Sequence, residues 1–148
     1  MNKKYAIPAA ALALAGATGC TDPIVADWEL TKLVSDGEVY ELDRTYMGDF
    51  GYEYSVSIVG ALSIDKGLGA ELVVDVTYTS TNPGGETHSG DSALSYNGEV
   101  SPGTDKGTYG IALDEDHRFN CELKNSPKEL ECDMLDSNDN EHWSFEPA

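Results

Sequence analysis

The 148-residue chain carries 27 acidic and 9 basic residues, and its formal net charge is −18 at pH 7. Nucleic acid and anionic lipid are bound through basic protein surface, so this composition argues against both as direct partners. The length suits one domain with a buried core. Lys3 and Lys4 lie in the N-terminal segment, so the rest of the chain has 7 basic and 27 acidic residues, a formal charge of −20.

Residues 1–19 have the layout of a secretory signal peptide. A short basic region at 2–4 is followed by an apolar stretch over 5–15 and then by small residues. The uncharged run over 5–20 is 16 residues long. A helix needs about 20 apolar residues to span a bilayer, so a cleaved leader is favoured over a retained transmembrane anchor.

Two cleavage sites compete at the end of this leader. Cleavage after Ala-Gly-Ala at 15–17 would release a soluble secreted protein. Ala-Thr-Gly-Cys at 17–20 resembles the lipobox of bacterial lipoproteins, in which the cysteine is acylated and becomes the first residue. The resemblance implies a palmitate-bearing anchor on Cys20 and a short tether over 20–27. Because Thr21 follows the cysteine, it also implies an outer-membrane lipoprotein on the periplasmic or surface face.

A single domain over 28–148 is expected to follow, and it begins with β-strands. The first two strands are predicted over 28–34 and 39–42 and are joined by an Asp-Gly turn, which suits a tight hairpin. The next stretch, 43–51, contains two glycines and is predicted to be a longer connection.

The clearest alternation of apolar and polar residues covers 52–64, which is typical of a strand with one buried face. Gly60 falls on the apolar face, where it either permits a sharp bend or separates two strands. The following strand, 70–78, alternates in the same way. A five-residue loop would pair Ile64 with Ala70, whereas a three-residue loop would shift every pair by two.

Shorter strands are expected in the second half of the chain. Pro-Gly-Gly and its polar neighbours predict an exposed loop over 80–91, and charged or Gly- and Pro-rich turns separate the later elements. The strands are predicted over 94–96, 109–113, 119–123, 130–134 and 142–145.

Cys121 and Cys132 are expected to face each other across a hairpin, since their pairing also brings the other apolar residues of both strands into phase. Opposed residues lie close enough for a disulfide, and a secreted chain favours a structural bond over a redox pair or a metal site. The bond would leave Cys20 as the unpaired thiol, which supports its lipidation.

The sequence therefore predicts an all-β fold, an antiparallel up-and-down barrel of about 8–10 strands in which closure removes the exposed edges. Length, strand rhythm and the first-strand Trp28 are similar to the lipocalin-like barrels, which include small bacterial lipoproteins. The Gly-x-Trp of that family is Ala-Asp-Trp at 26–28 here, and the arginine that packs over the tryptophan has no counterpart at 145–148. The resemblance implies the shape of the barrel.

Aromatic and aliphatic residues in phase with the inward-facing side chains are expected to fill the core or, alternatively, to line a ligand cavity. An eight-stranded barrel either fills with side chains or holds one small ligand. The residues predicted to line such a cavity are Trp28, Tyr54, Val56, Tyr78, Tyr96, Phe119 and Trp143.

Asp136, Asn138 and Asn140 match the opening of a calcium loop. Glu141 stands where the EF-hand has glycine, and Pro147 stands where it has a bidentate glutamate. A solvated turn is the favoured interpretation, and a loose calcium site on the three residues is the alternative.

Two other polar segments, 114–117 and 88–92, contain residue types that occur in functional sites. Asp-Glu-Asp-His at 114–117 could hold a cation but is more typical of a solvated turn. His-Ser-Gly-Asp-Ser at 88–92 contains the residue types of a hydrolase triad without the elbow or oxyanion hole that catalysis needs. His88, His117 and His142 lack zinc-site spacing. We therefore expect no catalytic residue, no resident metal and no cofactor.

The first functional hypothesis is a lipid-anchored barrel of the bacterial cell envelope that binds a small apolar or amphipathic ligand without catalysis. The alternative is a filled barrel that serves as a structural or interaction module with an acidic, cation-binding surface. A hollow interior would favour the first hypothesis, and an interior packed with side chains would favour the second. The expected partner in both cases is the membrane, through the lipid anchor.

Overall fold

The computed structural model describes residues 21–148, so the predicted leader and Cys20 lie outside the described residues. A single turn of 3₁₀ helix, Asp49–Gly51, interrupts an otherwise all-β structure. The ten strands are β1 Ala26–Ser35, β2 Glu38–Tyr40, β3 Asp43–Met47, β4 Glu53–Ile64, β5 Gly69–Thr81, β6 Thr87–Pro102, β7 Thr108–Ala112, β8 Arg118–Lys124, β9 Glu129–Met134 and β10 His142–Pro147.

The strands form one antiparallel sheet in the order β2-β1-β10-β9-β8-β7-β6-β5-β4-β3. A further pairing of β1 with β4 closes eight of the strands into a barrel and leaves β2 and β3 outside the ring. Each strand from β4 to β9 pairs with the next one along the chain, and β10 pairs with β1. The prediction of an up-and-down barrel is therefore confirmed.

The barrel closes along a short seam. Residues 26–29 of β1 pair with 61–64 of β4, and the two strands diverge beyond that point. A Cβ atom on Gly60 would lie 2.9 Å from the Cβ of Leu30, so glycine lets Leu30 pack against the backbone where the strands begin to separate. β4 runs through Gly60 without a break, which decides for a single strand.

The structure confirms one hairpin register and selects between the two that the sequence left open for another. Ile64 pairs with Ala70, as the five-residue loop requires. Cys121 pairs with Cys132, and the two cysteines form a disulfide between β8 and β9. Alternation excludes a slip of one residue, which would turn every apolar side chain outward, but the loop length decides between registers that differ by two.

Three segments differ from the predictions, and the simplest case is the Gly- and Pro-rich connection predicted after 94–96, because β6 continues to Pro102. The connection predicted over 43–51 contains strand β3, all of whose residues are exposed. An edge strand with no buried face carries no apolar alternation, which explains the error. The loop predicted over 80–91 is confined to 82–86, because β5 and β6 continue on either side of it as Ser-, Thr- and Gly-rich strands. These polar residues are compatible with backbone pairing. They lack the apolar alternation by which a strand is recognised in a sequence.

The core occupies one end of the barrel, where the eight strands surround it. Its largest fully buried side chains come from both termini of the domain and from β9, since β10 lies between β1 and β9 in the ring. They are Ile24, Trp28, Leu130, Cys132 and Phe145.

The N-terminal segment is packed against the barrel. Ile24 is fully buried, and its carbonyl oxygen accepts a hydrogen bond of 3.0 Å from the indole nitrogen of Trp28. The carboxylate of Asp22 accepts hydrogen bonds from the hydroxyl of Tyr109 at 2.7 Å and from the amide of Ile24 at 3.1 Å. The predicted tether over 20–27 is therefore bound to the barrel from Asp22 onward, and Ala26 already belongs to β1.

Candidate functional site

The interior of the closed barrel is filled with side chains. A cavity lined by core residues has a volume of about 10 Å³. Ligand pockets are typically about 300–1,000 Å³, so this cavity has no room for a small-molecule ligand. Its lining is wholly apolar and comprises Leu62, Leu72, Ile111, Leu113, Phe119, Cys132 and Phe145.

The structure divides the residues predicted to line a cavity into two groups. Trp28, Phe119 and Trp143 are buried in the core, and Tyr96 packs against it half-buried. The other three, Tyr54, Val56 and Tyr78, lie farther along β4 and β5, beyond the core. Of all seven, Phe119 is the one that borders the small cavity.

A four-stranded extension, which we call the projecting sheet, continues the barrel wall past the core. It consists of β3 with residues 53–59 of β4, 75–81 of β5 and 87–95 of β6. Its inner face is continuous with the barrel interior, because the side chains of Leu62, Ile58, Val56 and Tyr54 all point to one side of β4. Within residues 21–148, no strand covers this inner face in the way that the opposite barrel wall covers the core.

Three stacked tyrosines stand on the inner face near the end of the projecting sheet. The ring centroids of Tyr46 and Tyr54 are 5.4 Å apart with planes inclined by 25°, and those of Tyr54 and Tyr52 are 6.2 Å apart with planes inclined by 19°. The guanidinium carbon of Arg44 lies 4.8 Å from the centre of the Tyr46 ring, within cation–π range. We call these four residues the tyrosine column.

Gly48 gives the column its room. A Cβ atom at this position would overlap the Tyr54 ring, coming within 3.0 Å of its Cδ2 atom, so a larger residue would displace the ring. The next turn exposes Phe50, whose side chain is 91% accessible and whose φ of 60° is unusual for a residue other than glycine. An aromatic side chain held out in this conformation extends the apolar surface beyond the column.

Tyr78 provides a second aromatic surface on the same face. It pairs with Gly90, and a Cβ atom there would meet the Tyr78 ring at 3.4 Å, so the ring lies over the position of the missing side chain. Tyr78 is nevertheless 48% exposed, as is Leu94 nearby on β6. Exposed apolar patches of this kind are typical of interaction sites.

Sequence reasoning placed Tyr54 and Tyr78 on the correct face but missed Arg44 and Tyr46. These two residues fall in the segment predicted to be a connection. Their two-residue spacing is in phase with a strand, but no apolar face runs along the segment, in which Arg44 and Met47 fall on opposite faces.

His142 forms the densest polar cluster on the barrel wall. Its Nδ1 lies 2.7 Å from a carboxylate oxygen of Asp133, and its Nε2 lies 3.0 Å from one of Glu131. Burial disfavours the charged imidazolium, but the two hydrogen bonds to carboxylates outweigh it and raise the pKa of His142. When the imidazole is protonated, both ring nitrogens donate and the cluster is an ion pair with two anions.

The predicted calcium residues do not form an open site. Arg118 donates to both carboxylate oxygens of Asp136, through Nε at 3.0 Å and Nη2 at 2.6 Å, and these hydrogen bonds lower the pKa of Asp136. The side-chain amide of Asn140 donates to Asp36, and Asn138 is exposed. A guanidinium thus occupies the place of a cation, and residues 21–148 contain no group of three or more His, Cys, Asp or Glu arranged to hold a metal.

The other polar groups are also separated. His117 bonds to Asp114 at 2.8 Å within its own turn, and this bond lowers the pKa of Asp114. In β6, His88 points to the inner face, whereas Ser89 and Asp91 point to the outer face. These triad residue types therefore do not converge.

The ring of Trp28 is covered by a cation from an unexpected place. The ammonium of Lys128, in the turn between β8 and β9, lies 5.5 Å from the ring centre. The residues at 145–148 include no arginine for this role, and no local pattern in the sequence identifies a partner in another turn.

The described residues thus form a filled, closed up-and-down barrel with an exposed aromatic sheet at one end. Within them, no helix is long and apolar enough to cross a membrane. No protein-family model matches the chain, and no significant match was found among curated proteins or solved structures.

Proposed function

We propose that the protein is a non-enzymatic interaction module of a bacterial cell envelope, anchored by a lipid on Cys20, that binds a protein partner on the projecting sheet. One observation carries the proposal: the barrel interior is filled around a cavity of about 10 Å³, while its aromatic residues continue onto an uncovered face outside. A carrier of small apolar ligands would need the reverse arrangement. The alternative of a filled interaction module is therefore favoured over the ligand carrier.

The position of the N-terminal segment supports the orientation that this function requires. Ala26 pairs with Ile64 at one end of β4, whereas β3 pairs with 53–57 at the other end. The strand between them spans roughly 40 Å at the usual rise per residue. An anchor on Cys20, a few residues before the buried Ile24, would hold the core end near the membrane and direct the projecting sheet away from it.

Substitutions on two faces of the same sheet test the binding function. We expect native mass spectrometry of the full-length protein from its own envelope to detect a protein partner in a fixed ratio. The double variant Tyr46→Ser/Tyr78→Ser should lose that partner. Val59→Ser should retain it, because Val59 is also exposed but lies on the outer face of β4.

Two results would contradict the binding proposal. A small molecule that copurifies in place of a protein would favour the carrier, and retention of the partner by the double variant would remove the projecting sheet from the interface. The anchor is tested separately with Cys20→Ser, which should move the protein from the membrane fraction to the soluble fraction. Membrane partitioning that survives this change would exclude the lipid anchor.

A further inference from the structure

Strand β3 has one paired edge and one open edge. The amide of Gly48 donates to the carbonyl of Tyr52, and the amide of Ile58 donates to the carbonyl of Leu42. Hydrogen-bonded pairs alternate in an antiparallel ladder, so Arg44 and Tyr46 also direct their backbone groups toward β4.

The backbone groups of Asp43, Thr45 and Met47 consequently point to the open side. Within the described part of the chain β3 ends the sheet, and no other strand pairs with these amides and carbonyls. Unpaired edges are templates for an added strand, and natural proteins usually cover them or keep them very short. β2 ends the sheet on its other side with three residues, whereas β3 offers five.

The side chains of β3 define what an added strand would meet. The outer face of β3 carries Asp43, Thr45 and Met47. The inner face carries Arg44 and Tyr46, which belong to the tyrosine column. A positive charge on the residue opposite Asp43 would therefore strengthen binding of the added strand, and apolar residues on the other face would also strengthen it. Alternation of these two properties is the expected pattern of the partner.

Charge around the edge favours a basic partner over a second copy of this chain. Residues 36–57 contain one basic residue, Arg44, and six acidic ones, and the chain beyond residue 20 carries a formal charge of −20. Self-association would bring like charges together, which opposes pairing of two β3 edges. The acidic residues are Asp36, Glu38, Glu41, Asp43, Asp49 and Glu53.

We propose that β3 binds an extended segment of a protein partner, in which basic and apolar residues alternate, as an additional strand of the projecting sheet. The proposal rests on the proposed interaction function and specifies its mode and the chemistry of the partner. Main-chain hydrogen bonds to the amides and carbonyls of β3 supply affinity, and the alternating side chains supply specificity. The Tyr46 ring and the Asp43 carboxylate are the two contacts that select the segment.

A proline substitution tests the mode of binding. Thr45→Pro removes an outward amide and leaves the bonds between β3 and β4 in place, and proline is tolerated at an edge strand. Thr45→Val is the matched control, since it keeps the amide and also loses the side-chain hydrogen bond to Ser55. The probe is a synthetic peptide of alternating Lys and Val, and its affinity is measured by calorimetry on the full-length protein in detergent.

We expect Thr45→Pro to weaken binding about tenfold, the effect of losing one or two backbone hydrogen bonds, and Thr45→Val to change it less than about twofold. The corresponding Glu-Val peptide should show no measurable binding. Hydrogen exchange of the unsubstituted protein gives a second readout that does not depend on the folding of the variant. The Lys-Val peptide should slow exchange at Thr45 and Met47.

Three outcomes would overturn the edge-pairing proposal. The first is unchanged exchange at Thr45 and Met47 with the peptide bound. The second is that Tyr46→Ser loses peptide binding while Thr45→Pro keeps it. This result would keep the interaction function but replace strand addition by side-chain contact. The third is slowed exchange at these amides without peptide as protein concentration rises, which would assign the edge to a second copy. Retention of the native partner by Tyr46→Ser/Tyr78→Ser, tested above, would instead contradict the function itself.

Discussion

The two halves of β4, β5 and β6 share one alternation of side chains but have opposite environments. Leu62 and Leu72 are almost fully buried in the closed barrel, whereas Tyr54 and Tyr78, on the same face of the same strands, are half-buried and exposed. The difference arises where β1 leaves β4, because beyond that seam no opposing wall covers the inner face. Burial of a sheet face is therefore set by closure of the ring rather than by the strand itself.

Truncation of a core aromatic side chain should produce the largest difference in stability between substitutions in the two halves. Phe145 is 2% exposed and packs near Trp143, with ring centroids 6.3 Å apart. We expect Phe145→Ala to lower the free energy of unfolding by about 3–5 kcal/mol in urea denaturation. Tyr78→Ala is the control and should cost less than about 1 kcal/mol. Equal losses would mean that the projecting sheet is packed as tightly as the barrel.

Two glycines of β6 make a smaller and sharper comparison. A Cβ atom on Gly98 would overlap the backbone of Ala112 and Leu113, whereas one on Gly90 would only touch the Tyr78 ring at 3.4 Å. Gly98→Ala should therefore destabilise the protein by about 1–3 kcal/mol through overpacking, and Gly90→Ala by less than about 0.5 kcal/mol. Thermal and urea unfolding of both variants would measure this, and a reversed order would contradict the close approach of β6 to β7.

The pH dependence of stability should contain a contribution from His142 on the barrel wall. The pKa of His142 is raised above its ordinary 6.5, so the native state holds a proton that the unfolded state releases. Its contribution is complete below pH 6.5 and is lost as the pH rises through the folded-state pKa. The expected loss is less than about 1 kcal/mol, because the pair is partly exposed.

Matched variants separate this contribution from the general repulsion in an acidic protein. His142→Asn should remove part of the decrease in unfolding free energy on the alkaline side of pH 6.5. His88→Asn is the matched control substitution, because His88 is exposed and its nearest carboxylate oxygen, on Glu86, is 3.9 Å away. Identical profiles for His142→Asn and the unsubstituted protein would show that the cluster on the barrel wall does not titrate in this range.

The parts of the fold that sequence predicted correctly are those where one face is buried along a whole strand. The opposition of Cys121 and Cys132 follows from phase, whereas the pairing of Ile64 with Ala70 is one of two registers that phase allows. Two of the three errors lie in the projecting sheet, and the third is the Gly- and Pro-containing end of β6 at 97–102. β3 has no buried residue, and the outer half of β6 is composed of small polar residues, so neither contains the alternation that identifies a strand.

Of the candidate site, Tyr54 and Tyr78 were identifiable from sequence as inward-facing residues, but their exposure was not. Arg44 and Tyr46 join them only because β3 folds back onto β4, a contact between residues that no local pattern connects. The pairing of Asp136 with Arg118 was equally hidden, since 18 residues separate the two partners and the pair depends on the register of two strands.

The sequence by itself determined the all-β class, the inward faces of the barrel strands and the opposition of the two paired cysteines, because period-two alternation fixes which side chains share a face. Whether that face becomes a core or an exposed surface was decided only by the tertiary structure. Closure joins β1 to β4 over a short seam, fills the ring there with side chains and leaves the rest of the same face open. The physical reason is that burial depends on an opposing wall, and the wall comes from strands distant in the chain.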